Sequence, residues 1–316
     1  MDQAERLRNL VQQSNARNGL QQERDDKKSM TPLPAARTVP AKRARVITVT
    51  SGKGGVGKSS VSINLAIQLK KRGKDVIIFD ADFGLANIEV MFGAVPKYNL
   101  SDVIFHGKDI RDVIVKGPSD IGFISGGSGI NGLGNMTREQ VMYLVEKLKE
   151  LESMTDVLII DTGAGISDSV IEFVLSSEEV LLVTTPEPTS ITDSYALLKT
   201  LNNRAGDMRE NMVVKLIANR VSSREEAQNL FNKLQVVVQR FLKLKLDFLG
   251  MVPWDTNMSK SIMQQKPISI AYPESDGARA LSNIAERLLG SVPAQDDIVE
   301  KRGLAAAIMK MFHSKK

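Results

Sequence analysis

Cysteine is absent from all 316 residues, which excludes disulfides, a thiolate metal centre and a cysteine nucleophile. No apolar run approaches the ~20 residues needed to cross a bilayer. Residues 1–30 are predominantly polar, so neither a membrane span nor a secretory leader is expected. An internal repeat of solenoid type is also missing. Nor is one sign of charge in strong excess: 42 Lys and Arg against 37 Asp and Glu leave a formal net charge of +5. That value permits attraction to nucleic acid or anionic lipid and chooses neither. These absences describe a soluble, intracellular protein whose chemistry does not rest on thiols.

What is present is concentrated in one segment, residues 52–59, which read Gly-Lys-Gly-Gly-Val-Gly-Lys-Ser. Gly52, Gly57, Lys58 and Ser59 satisfy G-x-x-x-x-G-K-[S/T], with an apolar strand-like run at 46–50 before them and a helix-like run at 61–71 after. Glycines let successive backbone N–H groups turn toward one anion, and the helix N-terminus adds partial positive charge. Lys58 is expected at the β- and γ-phosphates and the Ser59 hydroxyl at Mg²⁺. Gly54, Gly55, Val56 and Ser60 complete the expected nucleotide-binding set. Lys53 is surplus to an ordinary phosphate loop, so it serves another oxygen, another subunit or only solvent.

From 46 to 290, about 245 residues and compatible with one large domain, strand-like runs alternate with helical patterns. This is the signature of a doubly wound, mostly parallel α/β sheet covered on both faces. The expected strands are 46–50, 76–80, 121–125, 157–161, 180–184, 213–219 and 246–252. Ligands bind at strand carboxyl ends in such sheets, so Asp80, Asp161 and Asn219 are expected to converge on the glycine loop. Phosphoryl transfer to water needs acidic groups beyond that loop. Asp80 and Asp82 stand at the end of one strand, and Asp161 ends another before Thr162-Gly163-Ala164-Gly165. Asp161 is suited to hold a Mg²⁺-bound water while the Gly163 N–H approaches the γ-phosphate. Asp80 fits either a supporting acceptor or a strand-end cap.

Both ends read as appendages. Residues 1–20 open with Asp2 as a helix cap and Glu5 three positions on, then place Ala4, Leu7 and Val11 on one stripe. This helix is too short to be stable alone and is expected to fold against its own body or a partner. Residues 21–45 form a polar, proline-containing linker. In 291–316, a hinge precedes Leu304, Ile308, Met311 and Phe312 on one helical face, with Lys310 on the other side and Lys315 and Lys316 closing the segment. That pattern fits interfacial membrane binding, with a helix docked on its own core as the alternative.

Lys53-Gly54-Gly55-Val56-Gly57-Lys58-Ser59 resembles the K-G-G-x-G-K-[S/T] signature of the deviant Walker A ATPases, the MinD/ParA family. The resemblance implies ATP and Mg²⁺ as cofactors and an ATP-state homodimer in which Lys53 crosses to the partner's nucleotide. It also implies that Asp82, in the first switch, orients the attacking water, which makes Lys53, Lys58 and Asp82 the expected catalytic set. Asp161 resembles the aspartate of the family's second switch, D-x-P-A-G, although Gly163 stands where the proline would be. Asn219 and Arg220, with Val252, Pro253 and Asp255, resemble the segments around adenine, and an Asn side chain carries the donor and acceptor a purine edge requires. The segment 185–194 looks like the family's helix entry and dimer contact.

Within the family, absent cysteine removes the thiolate-dependent members. The dispersed Tyr98, Tyr143, Tyr195 and Tyr272 do not fit kinases with a terminal tyrosine cluster. The terminal helix favours a membrane-cycling MinD-like switch over a nucleic-acid-binding partition ATPase. Asp2-Gln3-Ala4-Glu5-Arg6-Leu7-Arg8 resembles the D-Q-A-x-x-L-R arm of the branch that controls flagellar number and placement. That likeness implies an FlhF-type GTPase as partner of Gln3, Leu7 and Arg8. It further implies flagellar C-ring proteins as partners, and a cytoplasmic protein peripheral at the membrane when ATP is bound.

Overall fold

The structure, a computed structural model, describes residues 43–82, 87–127, 137–206 and 210–290. The expected arm with Gln3, Leu7 and Arg8, and the tail with Leu304, Ile308, Met311 and Phe312, lie outside the described residues.

In chain order the elements are β1 Arg45–Thr50, α1 Lys58–Lys71, β2 Val76–Ala81, α2 Asn87–Phe92, α3 Leu100–His106, β3 Val115–Lys116 and β4 Gly122–Ile124. There follow α4 Arg138–Ser153, β5 Val157–Thr162, α5 Asp168–Ser176, β6 Glu179–Thr184, α6 Pro188–Arg204 and β7 Val213–Val221. The last are α7 Arg224–Phe241, β8 Lys245–Pro253, α8 Thr256–Met263, α9 Ile268–Ala271 and α10 Asp276–Gly290. The strands join in one sheet ordered β3-β4-β2-β5-β1-β6-β7-β8. All pairings are parallel except β3 with β4. The seven expected strands are present, and β3, two residues long, is an addition the sequence pattern did not reveal.

Alternation along each strand builds a three-layer sandwich. In β5, Val157 and Ile159 join α1 and α10 in one core through Ile63, Ile67, Leu281 and Ile284. Leu158 and Ile160 join the opposite core with Leu144 and Leu148 of α4. Beside it, Val180 and Leu182 of β6 pack with Leu197 and Leu201 of α6 and Leu230 and Leu234 of α7. Each such side chain, fully buried, contributes about 1.5–3 kcal/mol of transfer free energy.

Helix α1 lies between sheet and α10 and is buried on nearly every side, from Lys58 to Leu69. Its polar side chains are paired: Asn64 Nδ2 donates to Ser60 O at 2.7 Å and Asn64 Oδ1 accepts from Ser269 N at 3.0 Å. Gln68 Nε2 donates to Ser269 Oγ at 3.1 Å. These bonds tie α9 to α1 and hold the helix that carries the phosphate loop. Residues 43–45, assigned to the linker by sequence, belong to the body: Ala44 is buried, and its N donates to Glu152 O at 2.8 Å. Arg45 pairs with buried Glu179, which also receives Lys215 at 2.7 Å.

Candidate nucleotide site

The loop begins where β1 ends. Buried Ser51 donates through Oγ to Lys53 O at 2.9 Å and starts the turn. Gly52 has no room for a side chain, because a Cβ would lie 2.2 Å from the Asp193 carbonyl carbon of α6. Gly57 has φ +93°, and a Cβ there would stand 2.4 Å from Asn219 Nδ2. That same Nδ2 donates to Val56 O at 2.7 Å, so the end of β7 pins the loop.

Helix α1 starts at Lys58, three residues earlier than its apolar pattern suggests. Its N-cap is Gly57, with no side-chain cap and no acidic residue in the first turn. Helices α3 and α4, by contrast, carry reciprocal capping boxes at Asn99/Asp102 and Thr137/Gln140. The first N–H groups of α1 are therefore left for an external anion, with the helix dipole behind them. Gly54 and Gly55 are exposed at the loop's crest.

Beneath the loop lies a buried charge cluster. Lys58 Nζ is 3.1 Å from Asp161 Oδ1, with the two side chains 8% and 0% exposed. Ser62 Oγ donates to the same oxygen at 2.8 Å. Asp161 Oδ2 is buried and has no hydrogen-bond partner. Asp80, opposite Asp161 in the β2/β5 register, accepts from Asp82 N at 3.1 Å and Ile88 N at 3.4 Å. Burial, reinforced by the charge of Asp161, pushes the Asp80 carboxyl up to about 8 against the pull of those N–H groups and Lys58. The cluster thus sets the Lys58–Asp161 contact beside an Asp80 carboxyl that holds its proton far more tightly than an ordinary carboxylate.

The segments after β2 and β5 approach each other at Gly163. Asp82, half-buried, has Oδ1 3.7 Å from where a Gly163 Cβ would lie, and Asn87 Nδ2 approaches its Oδ2 at 3.5 Å. The loop after β5 is tied to the phosphate loop by Gly165 N donating to Ser51 O at 2.9 Å. Thr162 Oγ1 lies 3.2 Å from Val49 O and 2.8 Å from Gly163 O. These contacts restrain the loop at the position where the proline is replaced. Lys53 is exposed, and its Nζ donates to Thr189 Oγ1 at the start of α6 at 2.8 Å.

The expected base-side residues are brought together unevenly. Asn219 and Val252 are register partners, but the Val252 side chain is buried in the core. Asn219, nearly fully buried, has Nδ2 engaged with Val56 O at 2.7 Å. Arg220 is exposed at φ +59°, where β7 and β8 shift register. Pro253 is half-exposed. Asp255 caps α8 through Asn257 N at 2.8 Å and accepts Gly277 N at 3.0 Å, so both oxygens already hold backbone donors. At the helix entry within 185–194, Glu187 is the N-cap; its carboxylate accepts from Thr185 Oγ1 and makes no bond to the helix N–H groups, and Pro188 occupies the first turn. Sequence reasoning passed over Ser62 and Ser51, of which only Ser62 left a signal, lying one helical turn after Lys58; Thr189 stood within the 185–194 segment without its bond to Lys53 being foreseen.

A parallel sheet, an uncapped glycine-led helix and a lysine buried against a strand-end aspartate define a P-loop nucleotide-binding protein. A family model described as ParA: NUBPL iron-transfer P-loop NTPase matches residues 42–289. The chain belongs to this ParA/MinD family, and is an ATPase. It is 41% identical over 244 residues to the antiactivator FleN of Pseudomonas aeruginosa, covering 77% of this chain and 86% of FleN. It is 30% identical over 269 residues to the flagellum site-determining protein YlxH of Helicobacter pylori, covering 85% and 90%. Among solved structures it resembles the septum site-determining protein MinD of Pyrococcus horikoshii complexed with Mg-ADP. That match has a TM-score of 0.61 and 25% identity, covering 80% of this chain and 99% of that one. The thiolate ligands that iron transfer by protein sulfur requires have no source in a chain without cysteine.

Proposed function

We propose that this ATPase is a switch of the FlhG type, which dimerises with ATP, associates with the membrane and regulates flagellar number and placement. The likeness to FleN over most of both chains is the observation that carries the flagellar assignment. MinD-like positioning of the division site is the second reading, favoured by the structural likeness to MinD.

The residues fit nucleotide and metal. A buried acceptor without a donor is costly, by about 1–3 kcal/mol, and Asp161 Oδ2 is such an acceptor beside an open helix N-terminus. Ser59 would hold Mg²⁺ through its hydroxyl, and Asp161 through a water; such an ion would supply neutralisation of phosphate charge. Backbone N–H groups of Gly54, Gly55, Val56, Gly57, Ser59 and Ser60 bind the phosphate oxygens, and Lys58 turns from Asp161 toward them. Asp82, half-buried beside Gly163, orients the attacking water. Lys53 leaves a single neutral hydroxyl on Thr189 to reach the nucleotide of the second protomer. Asn219 Oδ1, Arg220 and Pro253 border the base, while Asp255 and Val252 shape that border from behind.

The test separates binding from turnover. Lys58→Ala should abolish ATP binding, whereas Asp82→Ala should bind ATP and dimerise without releasing phosphate. Nucleotide affinity, light-scattering mass and phosphate release are compared for both, and a fully active Asp82→Ala protein sinks the assignment.

A further inference from the structure

Asp161 presents two unlike oxygens. Oδ1 has two donors, Lys58 Nζ at 3.1 Å and Ser62 Oγ at 2.8 Å, while Oδ2 is buried without any. Ser62 is itself fully buried on α1. Its hydroxyl also lies 3.1 Å from Lys58 O, the back-bond a serine makes within its own helix. One hydroxyl has one proton, and a carboxylate accepts it more strongly than a carbonyl already engaged by the helix.

We infer that Ser62 is a positioning residue that keeps Asp161 aimed at the metal-bound water after Lys58 has left for the phosphates. This rests on the reading of Gly52–Ser59 as the phosphate loop and of Asp161 as the metal-side acceptor. Lys58 cannot hold Oδ1 and the β- and γ-phosphates at once. When its Nζ departs, Ser62 is the donor that remains on Oδ1 among the contacts described, and Asp80 lies opposite in the neighbouring strand. Without the serine, no donor among the described contacts is left on Oδ1 to oppose rotation of the carboxylate. With it, Oδ1 stays fixed and Oδ2 keeps the partnerless place it has in the structure. The backbone supports this division, because Ser62 rides on the same helix as Lys58 and Ser59 and cannot move independently of the loop.

The experiment measures Mg²⁺ dependence of ADP binding on the full chain, using fluorescent ADP in EDTA and across a Mg²⁺ series. Ser62→Ala should bind ADP in EDTA as the parent does, while its Mg²⁺ midpoint rises tenfold or more, the scale typical of lost outer-shell hydrogen bonds to metal ligands. Ser62→Cys, which keeps the shape with a weak donor, should shift in the same direction, and Ser62→Thr, which keeps the hydroxyl, should restore the midpoint. An unchanged midpoint in Ser62→Ala and Ser62→Cys, or an equal shift in all three variants, overturns the inference. Asp161→Asn serves as reference. If it too leaves the midpoint unmoved, the metal reading of Asp161 falls and the inference with it; if it shifts the midpoint while Ser62→Ala does not, the inference alone falls.

Discussion

Replacing Lys58 by Met and Asp161 by Asn, singly and together, tests whether the buried pair under the phosphate loop acts as a unit. The two side chains are 8% and 0% exposed and 3.1 Å apart, so neither charge has water to fall back on. Lys58→Met leaves the Asp161 carboxylate with Ser62 as its donor and Asp80 beside it, and should cost about 4 kcal/mol, in the range for breaking a buried pair from one side. Asp161→Asn strands an ammonium, but it also relieves Asp80, whose proton is held partly by the charge of Asp161. The lysine stem can also swing toward the exposed crest at Gly54 and Gly55. Its cost should be smaller, about 2 kcal/mol on the same scale. The double variant leaves no orphan charge and should cost about 1–2 kcal/mol, giving a coupling of about 4–5 kcal/mol between two residues in direct contact. Urea unfolding of the nucleotide-free chain at pH 7 reads all four proteins through the linear dependence on denaturant. Additivity to within about 0.5 kcal/mol refutes the pairing. A larger loss for Asp161→Asn than for Lys58→Met refutes the relief of Asp80.

Asp80 is raised from 3.8 to about 8, chiefly by burial, so the folded state holds its proton more tightly than the unfolded chain does. Its stabilising contribution is full below pH 4 and is lost as pH rises through 8. The melting temperature of the nucleotide-free protein should therefore fall relative to Asp80→Asn across that window, and a pH-independent difference would remove the protonated carboxyl. At the carboxyl end, Phe312→Glu should abolish cosedimentation with anionic vesicles and leave ATP affinity unchanged, since a carboxylate is unfavourable at the lipid interface; equal cosedimentation returns this segment to packing on its own body. A peptide of residues 1–20 should raise GTP turnover by an FlhF-type GTPase, and Leu7→Asp should weaken it. No stimulation by the parent peptide ends the autonomous-arm mechanism.

What the sequence made legible is what local spacing encodes. The loop at 52–59 could be read because its glycines and Lys58 sit at distances set by one turn of chain around one anion. The strands could be read because burial on both faces demands unbroken apolar runs, as in Val157–Thr162. Strand β3 escaped because two residues have no period. The start of α1 escaped because its cap is a glycine serving the ligand in place of the polar side chain that normally announces a helix. Contacts between distant positions were the larger loss. Ser62 and Asp161 are 99 residues apart and Lys53 and Thr189 are 136 apart, and each pair exists only because the sheet order sets β5 and β6 on either side of β1.

Asn219 shows how these two kinds of information combine. Its amide suits a purine edge, which is all that the sequence argues. In the fold its Nδ2 holds Val56 O at 2.7 Å and occupies the space that any Cβ on Gly57 would need. The glycine is therefore required twice, once for φ +93° and once for the approach of a side chain from β7. A base bound at Asn219 Oδ1 would touch the same amide group that pins the phosphate loop, so recognition of the base and the shape of the phosphate cradle are joined through one planar side chain. At Gly163 the demand is weaker: a Cβ would meet Asp82 Oδ1 at 3.7 Å, an ordinary contact, so the approach of Asp82 to the loop after β5 does not itself require glycine. Ser51 O, accepting from Gly165 N at 2.9 Å, ties the loop after β5 to the phosphate loop. A change in the shape of the cradle would therefore reach the loop after β5 through the Gly165–Ser51 hydrogen bond, the kind of short connection on which the proposed response to the γ-phosphate would depend.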